Sequence, residues 1–488
     1  MNNKIALLPL DNRPVSYLLP KQIADFSDID LILPERNKLG DLNKGADFEY
    51  IENWCRGVAC NAPTMVISLD TWMYGGLVQS RKHNFSLEEL KKRVDLFVGE
   101  DNYPRLRQNI YGFSTIMRIP NYNSSEEEKD YWKDYGEKIF KWSYNMHKVG
   151  RGIKNDNESY DDLIDNWYKS TADIPIKILL DYKALRDKNF GVNIQWLESL
   201  HNNLFNYLIF SCDDSSDYGM NVVEAEYLIK EIRKHKFREK AKVISGTDEI
   251  PLILMTKSIL ETCSGMSLPK ISIYYNDLQG RNEKARYEQS SIYKSITSKV
   301  EFLTSTIYEE NEADIILFVH LASSVQGDHI FKIEPEDTRN NAKELVKEIE
   351  KSKKPFMILD LAYANGADPN LINELKKSKV NWDSCYGYAG WNTCSNSAGT
   401  VLAMGINRWI SERRNIFNKE AFKKCLLTRF LDDYAYQAII RHPNITEKEV
   451  NEKIRPYIQD FSKIIGLDIQ ESNCVLPWRR SFEIEINP

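Results

Sequence analysis

LIFSCDDSSDYG, residues 208–219, carries an apolar run straight into two adjacent carboxylates, Asp213 and Asp214, followed by small polar residues and Gly219. A short run of branched and aromatic side chains reads as a buried strand, and the polar residues that end it read as a turn into a helix. The same pattern recurs along the chain. Strands are predicted at 5–10, 65–69, 110–117, 207–211, 242–245, 271–275, 315–319 and 356–359, separated by longer stretches with helical patterning. Parallel strands joined by crossover helices produce this alternation, so the predicted class is α/β. Eight strands match a (β/α)8 TIM-barrel-like wall. A ninth run at 31–33, and a stretch at 176–182 that reads as strand or helix, keep two doubly wound domains as the alternative.

Past Asn392 the pattern turns helical, over 397–410 and then 421–440, and LPWRRSFEIEI (476–486) reads as a strand or extended arm. The expected organisation is a catalytic barrel over 1–405 and a C-terminal helical region with an extended tail over 406–488. The polar stretches 121–130 and 150–160 read as long loops.

In parallel α/β folds the residues just past each strand build the active face. Here they are Asp11-Asn12-Arg13, Asp70, Arg118, Asp213-Asp214, Thr247-Asp248-Glu249, Asn276-Asp277, His320 and Asp360. Such a ring is expected to converge on one small polar ligand. Two adjacent carboxylates divide labour well: one stays ionised and orients a substrate N–H, while its neighbour, with a raised pKa, donates a proton. Asp213 and Asp214 are therefore the expected catalytic pair, with an Asx turn or helix N-cap as the plain alternative.

YGYAGWNTCSNSAGTVLA (386–403) combines glycine, small and aromatic residues and opens into a helix. Tyr388, Trp391 and Asn392 are expected to line the ligand site, Trp391 by stacking and Asn392 by hydrogen bonding; a tight strand-to-helix turn is the alternative. ISLDTWMYGGLVQSR (67–81) offers Asp70 as an acceptor for hydroxyls and Trp72 or Tyr74 as a wall. Asp11, Arg13, Arg118, Asp248, Asn276 and Asp360 complete the expected ligand set, with ion pairing as the other reading of Arg13 and Arg118. His320 reads as a satisfied core histidine, and Asp368 before Pro369 as a helix start. His320, Asp11, Asp70 and Asp360 are too dispersed to specify a metal centre, and neither a metal nor another cofactor is expected. Pro477–Arg480 reads as a cap over the site or as a surface arm.

Lys and Arg number 65 against 71 Asp and Glu, a net charge of −6, with 42% hydrophobic and 28% charged residues. This balance fits neither a collagen-like nor a disordered chain, and offers no basic footprint for nucleic acid; the Lys-rich 230–242 reads as a solvated helix face. No run reaches the roughly 18 apolar residues of a membrane span. The first apolar run meets Asp11 and Arg13 with no cleavage signal, so it reads as a strand and the chain as unexported. Eight scattered cysteines (Cys55, Cys60, Cys212, Cys263, Cys385, Cys394, Cys425, Cys474) lack zinc-site spacing and fit a reducing cytoplasm.

LPLDNRPV, SLDTWMYGGLVQSR, RIPNYNSSEEEKDYW, DLAYANGAD and YAGWNTCSNSAGT together resemble a bacterial family known only as a domain of unknown function, over roughly residues 4–485. Separately, an acidic pair after the fourth strand resembles the site of retaining, substrate-assisted β-N-acetylhexosaminidases such as the O-GlcNAcases, which are barrel enzymes. That likeness implies Asp213 as the carboxylate orienting the acetamido group and Asp214 as general acid/base, with Tyr275 or Tyr388 supporting the acetamido carbonyl. The expectation is a cytoplasmic glycoside hydrolase acting on small N-acetylhexosaminides, with no nucleic-acid or membrane partner. A metal-dependent hydrolase or lyase using the Asp/His ring, and a non-catalytic sugar-binding protein, are its rivals.

Overall fold

The computed structural model describes residues 4–59, 61–99, 109–154, 158–262, 266–323, 325–336 and 338–487. Cys60, Cys263 and part of the predicted loop 150–160 lie outside them. The strands are β1 (Lys4–Leu8), β2 (Asp30–Ile32), β3 (Thr64–Ser68), β4 (Asn109–Ile116), β5 (Tyr207–Cys212), β6 (Ala241–Ser245), β7 (Ile271–Tyr275), β8 (Ile315–His320), β9 (Gly327–Asp328), β10 (Phe356–Asp360), β11 (Tyr363–Ala364), β12 (Cys385–Ala389), β13 (Asn473–Val475) and β14 (Glu485–Asn487). All eight predicted strands form, and the class is α/β.

Among the described residues, the main ladders make a six-stranded sheet ordered β2-β1-β3-β4-β5-β6 and a four-stranded sheet ordered β12-β10-β8-β7. The pairings from β1 to β6, and all those in the second sheet, are parallel. A single closed eight-stranded ring is not among these ladders. The short run 31–33 does supply an edge strand, 176–182 opens the helix Ile176–Glu198, and CYGYA is a strand that the sequence disguised as a turn. Its central Gly387 favours close packing: a Cβ there would lie 3.2 Å from Val401 O and from Met404 Cβ, so the following helix seats tightly on the strand.

The chain divides into two compact units, one of Lys4–Asn12 and Ile32–Thr247, the other of Arg13–Leu31 with the chain from Asp248 onward. This division differs from the expected 1–405 and 406–488, because the C-terminal helices share the second unit's core. Phe422 packs edge-on against Phe26 at 5.2 Å, Asn418 N donates to Phe26 O at 3.0 Å, and the helix Cys394–Arg413 is buried from Cys394 to Ser411. The predicted helix 421–440 is α-helical only to Arg429 and continues as a π-helix, Phe430–Ile440. The tail forms the antiparallel pair β13–β14.

β5 shows the burial that sustains the sheets. Leu208, Ile209 and Phe210 are fully buried, each such side chain contributing about 1.5–3 kcal/mol. Cys55, Cys385, Cys394, Cys425 and Cys474 are buried too, and burial raises their thiol pKa values, which leaves them unreactive. Among the described residues no helix is long and apolar enough to cross a membrane.

Candidate functional site

In the unit holding β1 and β3–β6, the carboxyl ends of three adjacent strands bring the first set of side chains together. After β3, Ser68 caps the helix Leu69–Tyr74 by accepting from Thr71 N, and the first turn places Asp70 beside β4. Asp70 Oδ2 accepts from Thr115 N at 2.9 Å and Thr115 Oγ1 at 3.0 Å, yet burial outweighs both bonds and pushes the carboxyl up to about 7. Gly75 (φ 91°) turns the chain where a Cβ would meet Ala46 N at 2.8 Å, and the next helix, Leu77–Lys82, returns Arg81 to the same end of the sheet. Tyr74 is buried and stacks on His83 at 4.7 Å.

Past β4, Arg118 follows Met117, whose carbonyl accepts from Arg186 Nη2 at 2.7 Å. Arg186 is itself held by Glu224 at 2.7 and 2.9 Å and by Tyr182 Oη at 3.1 Å. Past β5 come Asp213 and Asp214. The far end of their loop is tied down where Gly219 N donates to His147 Nδ1 at 3.0 Å and Met220 N to Ser143 Oγ at 2.8 Å.

Two arginines knit this set into one network. Arg81, with 2% of its side chain exposed, donates from Nη2 to Asp213 Oδ2 and from Nη1 to Glu127 Oε2 at 2.8 Å. Arg118 spends all three nitrogens: Nε on Glu128 Oε1 at 3.0 Å, Nη1 on Asp214 Oδ2 at 2.9 Å and Nη2 on Glu127 Oε2 at 2.9 Å. Buried guanidinium groups demand such partners. Lys82 Nζ, donating to Glu126 O at 2.6 Å, anchors the loop that delivers Glu127 and Glu128. Burial and the adjacent Asp213 charge push Asp214 up to about 6 against the opposing pull of Arg118 and Arg81. Burial likewise raises Glu128. Asp213 Oδ1 and Asp214 Oδ1 make no hydrogen bond among the described residues, and the Asp214 side chain keeps 28% exposure. The pair therefore turns two acceptors outward from a rigid salt-bridged base.

The other unit holds a second set. His320, at the end of β8, meets Asp368 Oδ2 through Nε2 at 2.8 Å and Asn276 Nδ2 through Nδ1 at 3.3 Å. Both ring nitrogens are thus engaged, as the core-histidine reading expected. Asp360 Oδ2 accepts from Asp368 N at 2.8 Å and Tyr388 Oη at 3.3 Å, and burial pushes its carboxyl up to about 6. From the π-helix, Asp433 accepts from Gly390 N at 2.8 Å and Arg429 Nη1 at 3.1 Å; burial pushes it up to about 7. Trp391 is buried, 5.8 Å from the Phe482 ring, and Asn392 (φ 69°) accepts at its carbonyl from Asn365 N at 2.9 Å. Arg13 pairs with Asp248 Oδ1 at 2.6 Å and Glu483 Oε1 at 3.2 Å, which is its ion-pair reading.

Of the expected residues, Asp70, Arg118, Asp213 and Asp214 thus meet in one unit, where Tyr74 lies on the Asp70 helix and Asp11 is buried just past β1. Asn276, Asp360 and Tyr388 meet in the other, with Trp391 and Asn392 on the following loop and Arg13–Asp248 in a separate ion pair. Arg81, Glu127, Glu128, Asp368 and Asp433 were not singled out as site residues. Arg81 closes the YGGLVQSR stretch and the two glutamates sit in a run that reads as solvated loop; Asp368 both caps its helix and binds His320. Among the described residues, no three His, Cys, Asp or Glu side chains are arranged to hold a metal ion.

No curated protein and no solved structure matches the chain. A family model described as "Protein of unknown function (DUF4127)" matches residues 5–487, and the chain belongs to that family.

Proposed function

We propose that this protein is a cytoplasmic glycoside hydrolase acting on small N-acetylhexosaminides through Asp213 and Asp214. One observation carries the reading: two adjacent carboxyls are each anchored to a buried arginine through one oxygen, Asp213 to Arg81 and Asp214 to Arg118 at 2.9 Å, and leave the other oxygen unbonded among the described residues. Burial and the Asp213 charge push Asp214 up to about 6, where a carboxyl can serve as a general acid beside an orienting neighbour. In the reaction Asp213 accepts the substrate's acetamido N–H, and the acetamido oxygen attacks the anomeric carbon. Asp214 gives its proton to the departing glycosidic oxygen. Water, deprotonated by Asp214, then opens the oxazoline with net retention. Arg118, bonded to Asp214, and Asp70, within electrostatic reach of Asp213, are the expected sugar contacts at the adjoining strand ends, with Tyr74 on the Asp70 helix. The parallel pairing of all eight predicted strands is what supports the finer (β/α)8-like reading.

Nitrophenyl glycosides with and without a 2-acetamido group test this. Turnover confined to the 2-acetamido series and lost in Asp214→Asn is expected; no turnover of any member would leave a sugar-binding protein.

A further inference from the structure

We infer that the Asp213–Asp214 centre selects donor-rich, cationic or neutral sugars and rejects anionic ones, and that Glu127 is the residue that sets this preference. The inference rests on the hydrolase reading only for the location of the sugar, and its test reads binding.

Two convergent buried arginines ordinarily make a carboxylate or phosphate site. Here that capacity is consumed internally. A single oxygen, Glu127 Oε2, accepts from Arg81 Nη1 at 2.8 Å and Arg118 Nη2 at 2.9 Å, where a bidentate anion would sit. Glu128 and Asp214 take the other two nitrogens of Arg118, at 3.0 and 2.9 Å, and Asp213 takes Arg81 Nη2. Four carboxylates thus surround two guanidinium groups, and the atoms left facing outward, Asp213 Oδ1 and Asp214 Oδ1, are acceptors. Lys82 directs its ammonium to the carbonyls of Ser125 and Glu126. A ligand must therefore bring N–H or O–H donors, and a sulfate, phosphate or uronate on it meets excess negative charge. Glu127 makes this choice because its Oε2 is hydrogen-bonded to both arginines, whereas Asp213, Asp214 and Glu128 are each hydrogen-bonded to one.

The test is calorimetric binding of glucosamine, glucose and glucose 6-sulfate at pH 7 and low salt to the full chain and to Glu127→Gln. Glucosamine is expected to bind at least ~10-fold tighter than glucose, and glucose 6-sulfate at least ~10-fold weaker. In Glu127→Gln both steps shrink by about half on a logarithmic scale as one of the excess charges goes. Should that variant fail to fold, raising the salt on the wild type serves instead, since screening must compress the same steps. Equal binding of all three sugars, no binding of any, or steps unchanged by both the substitution and salt would overturn the inference. Graded binding without turnover of any glycoside would uphold it and sink the hydrolase reading alone.

Discussion

Arg118 donates from Nη1 to Asp214 Oδ2 at 2.9 Å, and the carboxyl it touches is nevertheless pushed up to about 6. Burial together with the Asp213 charge outweighs the guanidinium. A general acid working near neutral pH needs this balance, because an unopposed ion pair would hold the carboxyl ionised. Asp214→Asn should therefore cost about 10²–10⁴ in kcat/KM on activated glycosides. Arg118→Met removes a charge that lowers the Asp214 pKa, so the falling limb of the pH–rate profile should move to higher pH. A limb that stays in place or moves down would separate Asp214 from proton donation.

Asp213→Asn acts in the opposite sense. Its charge is the second force raising Asp214, so neutralising it should move the same limb to lower pH while removing the acceptor for the acetamido N–H. The rate on 2-acetamido glycosides should fall together with the shift of the limb, and steady-state kinetics across pH reads both effects; a limb that stays in place would contradict the role given to the Asp213 charge.

Asp70 gives a stability prediction. Its folded pKa, about 7, stands above its ordinary 3.8, so the folded state holds the proton more tightly than the unfolded chain. Its contribution is fully present below pH 4 and is lost as pH rises through about 7, amounting to at most ~4 kcal/mol by linkage. Asn keeps an oxygen to accept from Thr115 and cannot ionise. Urea unfolding of Asp70→Asn should be more stable than wild type at pH 8 and near equal at pH 4; the same difference at both pH values would contradict it.

Glu224→Gln should be severe. Arg186 is fully buried and binds Glu224 through two nitrogens at 2.7 and 2.9 Å; removing one charge of such a pair costs about 3–5 kcal/mol. Because Arg186 also holds Met117 O, at the base of Arg118, the variant should lose turnover before it unfolds. A denaturation curve alongside kcat separates the two effects.

The strands were legible because their apolar runs are short and end abruptly in charge, as at Leu208–Asp213. β12 was not, since its glycine and tyrosines imitate a turn; only packing against Val401 and Met404 explains Gly387. Arg429–Ile440 keeps a helical pattern that cannot distinguish α from π register, so the inward placement of Asp433 was hidden. The acidic run 126–128 reads as solvated loop in one dimension. Its role depends on Arg81 and Arg118, some 45 and 10 residues away in the chain, and sequence spacing says nothing of that meeting.

The most direct measurement is nitrophenol release from α- and β-nitrophenyl glycosides, with and without 2-acetamido groups, by wild type and Asp214→Asn, with a chelator arm. The account predicts turnover of a 2-acetamido sugar alone, reduced about 10²–10⁴-fold in the variant and indifferent to chelator. Release from no glycoside, or chelator-sensitive release that survives in Asp214→Asn, would contradict it.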